Sequence, residues 1–222
     1  MSSISIVIPC FNKWELTHSL LFDIYNFNRS VDEVLVVDNG STDIAVQQGL
    51  QWWQENKMLP IQVLSIKDNV GFLLASNQGI KESRGEIILL LSNDVRILRP
   101  ILDEIRQKLV GKIILGGRLL DFPTGWNNFK NKLCQYLEGY LLVFTKNVWQ
   151  ELGGFDERYA PSDMEDIDFS TAAIEKGYIL ETLDSDKIIH LGGQTIGFSD
   201  ERAKITTINR EKFRQKWNLE YV

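Results

Sequence analysis

Three carboxylates fall within four residues in the segment Glu165-Asp166-Ile167-Asp168, directly ahead of a helical pattern of apolar residues from Phe169 to Ile174. Carboxylates in the first turn of a helix gain about 0.3–1 kcal/mol each from the helix dipole, so capping alone is one explanation. However, a glycine-containing loop precedes them at Gly153 to Glu157, and a lone His190 ends an apolar run further on. Together these features indicate a site where a hydroxyl is deprotonated near a metal ion.

The charge balance excludes some partners. The 222-residue chain has 24 basic and 30 acidic residues, a net charge of -6, and it shows no basic cluster for nucleic acid or anionic lipid. An anionic substrate would therefore need a bound cation or backbone donors, which favours a metal-dependent site. Length and an apolar share of 44% are typical of one globular domain.

The two cysteines, Cys10 and Cys134, are too few for a disulfide framework and are typical of a reducing compartment. No apolar run approaches the roughly 18–20 residues that span a bilayer. The amino terminus lacks the basic start and cleavage site of a secretory signal. We therefore expect a cytoplasmic protein with no transmembrane segment and at most peripheral membrane contact.

The first half of the chain repeats a strand followed by a helix. Four short apolar runs predict strands, at Ser3–Ile8, Glu33–Val37, Ile61–Ile66 and Glu86–Leu91. Short connections between strand and helix indicate a parallel sheet that is covered on both faces. In such sheets ligands bind beyond the carboxyl ends of the strands.

The second half is less regular. Strands are predicted at Lys112–Leu120, Tyr136–Phe144, Tyr178–Leu183 and Lys187–His190, with a loop over Asp121–Asn131. Helices are predicted over Asn147–Leu152, from the acidic tetrad to about Lys176, and over Glu201–Trp217. We expect the last of these to be an amphipathic helix that packs on the body of the protein.

The residues at the predicted strand ends allow two interpretations each. Phe11 can stack on a nucleotide base or belong to the core, and Asp38 can bind a ribose hydroxyl or cap a helix. Asn93 and Asp94 supply hard oxygen ligands for Mg²⁺ or Mn²⁺, although such residues are also common in turns. A lone imidazole such as His190 is usually a satisfied core or strand-end residue, but His190 is one of only two histidines and stands at the end of a predicted strand. Dinucleotide-binding and P-loop glycine motifs are both absent from the sequence.

In combination, these residues resemble a family 2 glycosyltransferase with the GT-A fold, close in pattern to rhamnosyltransferase-type members. The resemblance covers roughly Ile4 to Gly193. It rests on motifs that occur in the family's order: Val7-Ile8-Pro9-Cys10-Phe11-Asn12, Val37-Asp38-Asn39-Gly40-Ser41-Thr42-Asp43, Asn69-Val70-Gly71 with Ala75-Ser76-Asn77-Gln78-Gly79-Ile80, Leu89-Leu90-Leu91-Ser92-Asn93-Asp94, Gly153-Gly154-Phe155-Asp156-Glu157, Glu165-Asp166-Ile167-Asp168 and His190.

The resemblance implies a single α/β GT-A domain over residues 1–222, Rossmann-like, with a mostly parallel central sheet flanked by helices. Residues 1–95 would form the nucleotide-binding half, 96–195 the acceptor and catalytic half, and 196–222 the C-terminal helix. The implied activity is inverting transfer from a UDP-, GDP- or dTDP-linked sugar to a glycan or lipid-linked saccharide in polysaccharide biosynthesis, with no nucleic acid involved.

The resemblance also implies roles for individual residues. Asp166 matches the catalytic base, with Glu165 as the next candidate, and Asp94 and His190 would hold Mn²⁺ or Mg²⁺. The residues expected around the nucleotide and donor are Pro9, Phe11, Asn12, Asp38, Asn39, Asn69, Gly71, Asn77, Asn93 and Gly154. Trp126, Tyr136 and Trp149 are either aromatic faces for a sugar or core residues.

The segment Ser92-Asn93-Asp94 departs from the family's metal motif, because it contains one carboxylate only. Metal binding would then be weaker or depend more on the diphosphate. This departure keeps open a second interpretation, a non-catalytic module that binds nucleotide-sugars. A nucleotidyltransferase is disfavoured, because no basic glycine-rich loop follows the first strand.

Overall fold

The computed structural model describes residues 2–122, 135–193 and 199–219. The strands are β1 (Ile4–Cys10), β2 (Glu33–Asn39), β3 (Ile61–Ile66), β4 (Ile87–Leu91), β5 (Val95–Ile97), β6 (Ile113–Gly116), β7 (Leu119–Asp121), β8 (Gln135–Leu137), β9 (Leu141–Thr145), β10 (Ile179–Thr182) and β11 (Ile188–His190). The α-helices are α1 (Trp14–Asn28), α2 (Ile44–Asn56), α3 (Phe72–Glu82), α4 (Leu102–Lys108), α5 (Lys146–Leu152), α6 (Glu165–Glu175) and α7 (Asp200–Lys216). Short 3-10 helices span Glu157–Tyr159 and Ser185–Lys187. Trp126, Cys134 and most of the predicted loop lie outside the described residues.

The central sheet has seven strands in the order β10-β6-β9-β4-β1-β2-β3. The pairs β4/β1, β1/β2, β2/β3 and β10/β6 are parallel, whereas β9 runs antiparallel to both of its neighbours. This architecture confirms the predicted α/β fold with a mostly parallel central sheet. Because β1 lies between β2 and β4, the polar residues that follow these three strands meet at one edge.

Two hydrophobic clusters cover the two faces of the sheet. Alternate residues of β1 face opposite ways: Ile6 and Ile8 pack with α1 and α2, and Val7 packs with Val37 and α3. Every residue of β1, β2 and β4 is buried, which explains why these strands are continuous apolar runs in the sequence. The rigid sheet fixes the positions of the loops at its carboxyl edge.

Two predicted strands are in fact pairs of shorter strands. The run Lys112–Leu120 divides into β6 in the central sheet and β7 in a two-stranded sheet with β8. The run Tyr136–Phe144 divides into β8, which pairs with β7, and β9, which lies in the central sheet; in the turn at residues 139–140 between them, Gly139 N–H donates to Asp166. Periodicity alone does not reveal such a break.

Candidate functional site

A cavity of about 670 Å³ opens at the carboxyl edge of the central sheet. Its lining joins residues from the ends of β1, β2 and β4 with residues from α6, β11 and α7. The predicted site residues that line it are Pro9, Phe11, Asn39, Asn69, Gly71, Asn93, Asp94, Glu165, Asp166 and His190. The fold therefore brings together ten of the residues selected from the sequence.

Asn12 and Asp38 lie beside this cavity rather than in its lining. Asn12 Oδ1 accepts hydrogen bonds from Thr42 N at 2.9 Å and Asp43 N at 3.0 Å. Asp38 Oδ1 accepts one from Ser41 N at 3.0 Å. The Asn12 bonds fasten the loop after β1 to the loop after β2, and the Asp38 bond lies within the loop after β2, so both side chains support the shape of this edge of the sheet. A direct contact with nucleotide stays a prediction for them.

Asn39, Asn69 and Gly71 fix the loop after β3. Asn39 Nδ2 donates to Asn69 Oδ1 at 2.9 Å and to Gly71 O at 3.2 Å, while Asn39 Oδ1 accepts from Val70 N at 3.0 Å. Gly71 has φ +87°, and a Cβ there would lie 2.4 Å from Pro161 O. Only glycine allows this approach, which joins the loop after β3 to the segment before α6.

Asp94 and His190 face each other across the pair β5/β11. The Asp94 side chain is 4% exposed, its Oδ1 accepts from Ser92 Oγ at 2.6 Å, and His190 Nε2 lies 3.4 Å from that same oxygen. The His190 ring stacks on Tyr140 with centroids 4.1 Å apart and planes 16° apart. The antiparallel pairing of His190 with Val95 fixes the register that brings these two groups together.

This pair suits a divalent cation. Two ligand atoms at the usual 2.0–2.1 Å from Mg²⁺ and at right angles lie about 3 Å apart, close to the observed separation. A carboxylate oxygen with an imidazole nitrogen is a donor set that Mn²⁺ accepts. Among the residues that the structure describes, no group of three or more His, Cys, Asp or Glu side chains forms a metal cluster. Further ligands would therefore have to come from water and a substrate diphosphate, as is common for Mg²⁺.

Asn93 contributes in another way. Its amide nitrogen donates to Thr17 Oγ1 at 3.1 Å, and the residue is 2% exposed. This bond connects the end of β4 to α1. We therefore assign Asn93 a structural contact in addition to its place in the cavity lining.

Asp166 stands at the start of α6 and is half-buried at the cavity wall. Its Oδ2 accepts from Gly139 N at 2.9 Å and its Oδ1 from Ile167 N at 2.8 Å. Burial raises the pKa of the Asp166 carboxyl to about 6, although these two hydrogen bonds oppose the rise. A carboxyl group with that pKa is a suitable general base near neutral pH.

Glu165 is more deeply buried than Asp166, at 7% exposure. Burial, reinforced by the charges of Asp166 and Asp163, raises the pKa of the Glu165 carboxyl well above its usual range. Within the described residues its Oε2 has no hydrogen-bond partner. Asp166 is therefore the better candidate for the ionised base, and Glu165 is the better candidate for a proton-carrying neighbour.

Asp168, the third carboxylate of the tetrad, serves another purpose. It is 3% exposed and accepts hydrogen bonds from Tyr159 Oη at 3.2 Å, Trp217 Nε1 at 2.7 Å and Lys216 Nζ at 2.7 Å. These contacts anchor the end of α7 to α6. Helical geometry places residues two positions apart on nearly opposite faces, which was the signal in the sequence that separates Asp168 from Asp166.

Asn77 and Gly154 support the loop before the acidic tetrad and do not line the cavity. Asn77 Nδ2 donates to Phe155 O at 2.8 Å, and Asn77 Oδ1 accepts from Phe155 N at 3.3 Å. Gly154 has φ +76°, and a Cβ there would lie 2.8 Å from the Trp149 ring. Trp149 stacks on Phe144 in the core, so of the aromatic candidates Tyr136 alone lies in the described cavity lining.

Sequence reasoning missed the contribution of α7 to the cavity. Arg202, Thr206 and Arg210 recur every four residues along the helix and all line the cavity. Asn209 Nδ2 donates to Tyr159 O at 2.7 Å and Ser162 O at 2.9 Å, which holds the segment before α6 in place. The four-residue spacing was visible in the sequence, but whether this face of α7 points into the cavity depends on how the helix packs.

Comparison with known proteins extends this description. The family model "Glycosyl transferase family 2" matches residues 5–149, more than half of the chain. An uncharacterised protein of Mycobacterium tuberculosis is 24% identical over 209 residues, which cover 87% of this chain and 76% of that protein. Among the residues that the structure describes, no helix is both long enough and apolar enough to cross a bilayer.

Two solved structures have a similar fold. A mannosyltransferase from Pyrobaculum calidifontis, in complex with GDP-Man and Mn²⁺, matches with TM-score 0.65 and 20% identity over 83% of this chain and 55% of that one. TarS 1-349 from S. aureus, in complex with UDP-GlcNAc, matches with TM-score 0.61 and 19% identity over 83% and 56%. This chain thus spans about half of each, and it shares with them the GT-A fold.

Proposed function

Since the chain belongs to glycosyl transferase family 2, we propose that it transfers a sugar from a nucleotide-sugar to a hydroxyl group of a glycan or lipid-linked saccharide, with inversion at the anomeric carbon. UDP-, GDP- and dTDP-linked sugars are the proposed donors, and turnover of a rhamnose donor would support the rhamnosyltransferase-type subtype. We place the reaction in the cytoplasm, within polysaccharide biosynthesis.

The observation that supports this proposal best is the shared cavity of Asp166, Asp94 and His190. A half-buried carboxyl group with a pKa of about 6 shares the cavity with a carboxylate and imidazole pair that suits a divalent ion. Glycosyl transfer needs both functions, because a hydroxyl must lose its proton while a diphosphate leaves with its negative charge.

In the proposed step, the acceptor oxygen attacks the anomeric carbon from the face opposite the nucleotide. The new bond joins the acceptor oxygen to that carbon, the bond from that carbon to the diphosphate oxygen breaks, and Asp166 takes the hydroxyl proton. Gly139 N–H and Ile167 N–H orient the Asp166 carboxylate, and each of its oxygens keeps a lone pair that can accept the hydroxyl proton. Mn²⁺ or Mg²⁺, held by Asp94 and His190, would stabilise negative charge on the leaving diphosphate.

Thermal melting in the presence of UDP, GDP, dTDP and CDP, each with and without Mn²⁺, tests the donor site. A ligand at a hundred times its dissociation constant stabilises the fold by about 2.7 kcal/mol. For a chain of this size, each kcal/mol raises the melting temperature by about 2–4 °C. We expect a rise of several degrees for one nucleotide, and only with Mn²⁺. No rise with any combination would contradict the proposed donor site.

The second candidate is a non-catalytic module that binds nucleotide-sugars. It is favoured by the single carboxylate in Ser92-Asn93-Asp94. Release of free nucleotide separates the two candidates: an enzyme releases nucleotide continuously from a matching donor and acceptor, whereas a binding module saturates with donor and releases none. We favour the enzyme, because Asp166 has the position and the pKa of a base.

A further inference from the structure

The cavity wall formed by α7 is cationic. Arg202, Thr206 and Arg210, which we call the α7 stripe, lie at four-residue intervals and therefore on one face of the helix. All three line the cavity that also holds Asp166. The stripe is unexpected in a chain of net charge -6, and the steps of the proposed transfer do not use it.

The first two members of the stripe are bound to one carboxylate. Arg202 Nη2 donates to Asp163 Oδ1 at 2.9 Å, and Thr206 Oγ1 donates to Asp163 Oδ2 at 2.7 Å. The Arg202 guanidinium accordingly keeps the pKa of the Asp163 carboxyl below its usual value. These bonds hold α7 rigidly against the segment that leads into α6.

Arg210 differs from them. It is exposed at the cavity, and it makes no hydrogen bond or ion pair with any residue in the described part of the chain. The positive charge of Arg210 acts on Asp163, which lies three residues before Asp166. The residue before Arg210, Asn209, donates hydrogen bonds to the carbonyls of Tyr159 and Ser162. Arg210 therefore lies near Asp163, in the lining of the cavity that also holds the proposed base.

We infer that Arg210, on the helix face that Arg202 and Thr206 hold in place, binds an anionic group of the acceptor. The guanidinium fork matches the oxygens of a phosphate or carboxylate. Within the described residues, Arg210 makes no hydrogen bond or ion pair that would have to break before it binds such a ligand. This inference rests on the proposed function, in which the acceptor hydroxyl lies at Asp166. The acceptor class is thus a saccharide that carries a phosphate or a uronate carboxylate.

Direct binding of saccharide probes to the full chain tests this inference. The probes are glucose 6-phosphate, glucuronate and glucose, titrated by NMR at low ionic strength into protein that is saturated with Mn²⁺ and the stabilising nucleotide. We expect at least one charged probe to bind about tenfold more tightly than glucose, since hydrogen bonds between charged groups are worth about that much. Tighter binding of glucose 6-phosphate would indicate an acceptor that carries a phosphate, and tighter binding of glucuronate one that carries a uronate carboxylate.

Matched variants locate the effect. R210Q should lower the affinity for the charged probe about tenfold and leave the affinity for glucose unchanged. Lys204→Gln removes the same charge from another face of α7, where Lys204 is exposed and outside the cavity lining, and it should change neither affinity. R210K, which keeps the charge but loses the fork, should give an intermediate affinity.

Three results would overturn the inference: equal affinity for charged and neutral probes, full affinity of R210Q for the charged probe, or a weaker nucleotide affinity in R210Q. The last would assign Arg210 to the donor diphosphate. Nucleotide titration without any probe tests the proposed function separately. A chain that binds a charged probe through Arg210 but binds no nucleotide would refute the proposed function and the assignment of the subsite to an acceptor.

Discussion

Asn39 and Asp168 are both buried polar residues next to the cavity, but they are held in different ways. Asn39 is the last residue of β2 and bonds to the loop between β3 and α3, at Asn69 to Gly71. Asp168 is held by Lys216 and Trp217, which lie 48 and 49 positions later in the sequence. The half of the chain that carries β1 to β4 is thus ordered by contacts between successive units, and the half that carries Asp166 is ordered by contacts with α7.

This difference shows why residues close in sequence have different roles in the second half. Asp166 and Asp168 are two positions apart, yet Asp166 faces the cavity and Asp168 faces a lysine and a tryptophan. In the first half, by contrast, the position of a residue after its strand already indicates where it lies. The predictions below test this contrast, from the largest expected effect to the smallest.

Asp166→Asn should lower turnover about 10²–10⁴-fold, because a general base contributes about that much and an amide accepts no proton at neutral pH. Nucleotide affinity should stay within about twofold, since the proposed role of Asp166 is to accept the proton of the acceptor hydroxyl. Steady-state kinetics and nucleotide titration together measure both quantities.

Asp103→Asn is the matched control for that variant, because Asp103 lies on α4 with a side chain that is 88% exposed. It should leave turnover unchanged. Near-normal turnover of the Asp166 variant would contradict its assignment as the base, and Glu165→Gln would then be the variant to measure.

Asp168→Asn should instead lower stability. It removes the carboxylate that pairs with Lys216, and we expect a loss of about 2–3 kcal/mol, less than the 3–5 typical of a fully buried pair because the Lys216 side chain is a quarter exposed. The melting temperature should fall by about 4–12 °C. Asp103→Asn again serves as the control. An unchanged melting temperature would show that α7 does not depend on this anchor.

The sequence allowed the first half of the fold to be predicted almost completely. Parallel strands that are buried on both faces are continuous apolar runs, so β1 to β4 were recognised, and the adjacency of their ends followed from the topology of such sheets. The meeting of Asp94 with His190 was implied by family resemblance. Its physical cause, the pairing of β5 with β11, was invisible because β5 has three residues and finds its partner far along the chain.

The second half could not be predicted to the same degree. The break between β8 and β9 arises because the two strands pair in different sheets, and no local pattern shows this. Helical geometry predicts that Asp166 and Asp168 lie on different faces of α6, but which of the two is buried, and where the α7 stripe points, depend on how one helix packs against another. Such packing is decided by tertiary contacts, to which periodicity is blind.

Asn77 tests the link between the two halves. Asn77→Ala should destabilise the fold by about 1–2 kcal/mol, because the N–H and C=O of Phe155 lose their partner. Nucleotide affinity should be retained, since Asn77 does not line the cavity. Gln78→Ala, at the exposed neighbouring position, should change neither stability nor affinity. A specific loss of nucleotide affinity in Asn77→Ala would restore its predicted place around the nucleotide.

The pH dependence of turnover gives the smallest effect. Burial raises the pKa of Asp166 to about 6, and the base works only in its ionised form, so turnover should fall as the pH drops through 6 and be about tenfold lower at pH 5 than on the plateau. A carboxylate at the ordinary value of 3.8 would still be active at pH 5.

The same shift in pKa acts on stability with the opposite sign. Because the folded-state pKa of Asp166 lies above the ordinary value of 3.8, the folded state keeps its proton where the unfolded chain has lost it, and stability should fall as the pH rises from about 4 to 6. Melting curves of the wild-type chain and of Asp166→Asn across this range measure the difference. If that difference were constant with pH, the raised pKa of Asp166 would be wrong, and a fall in turnover near pH 6 would have to come from another group.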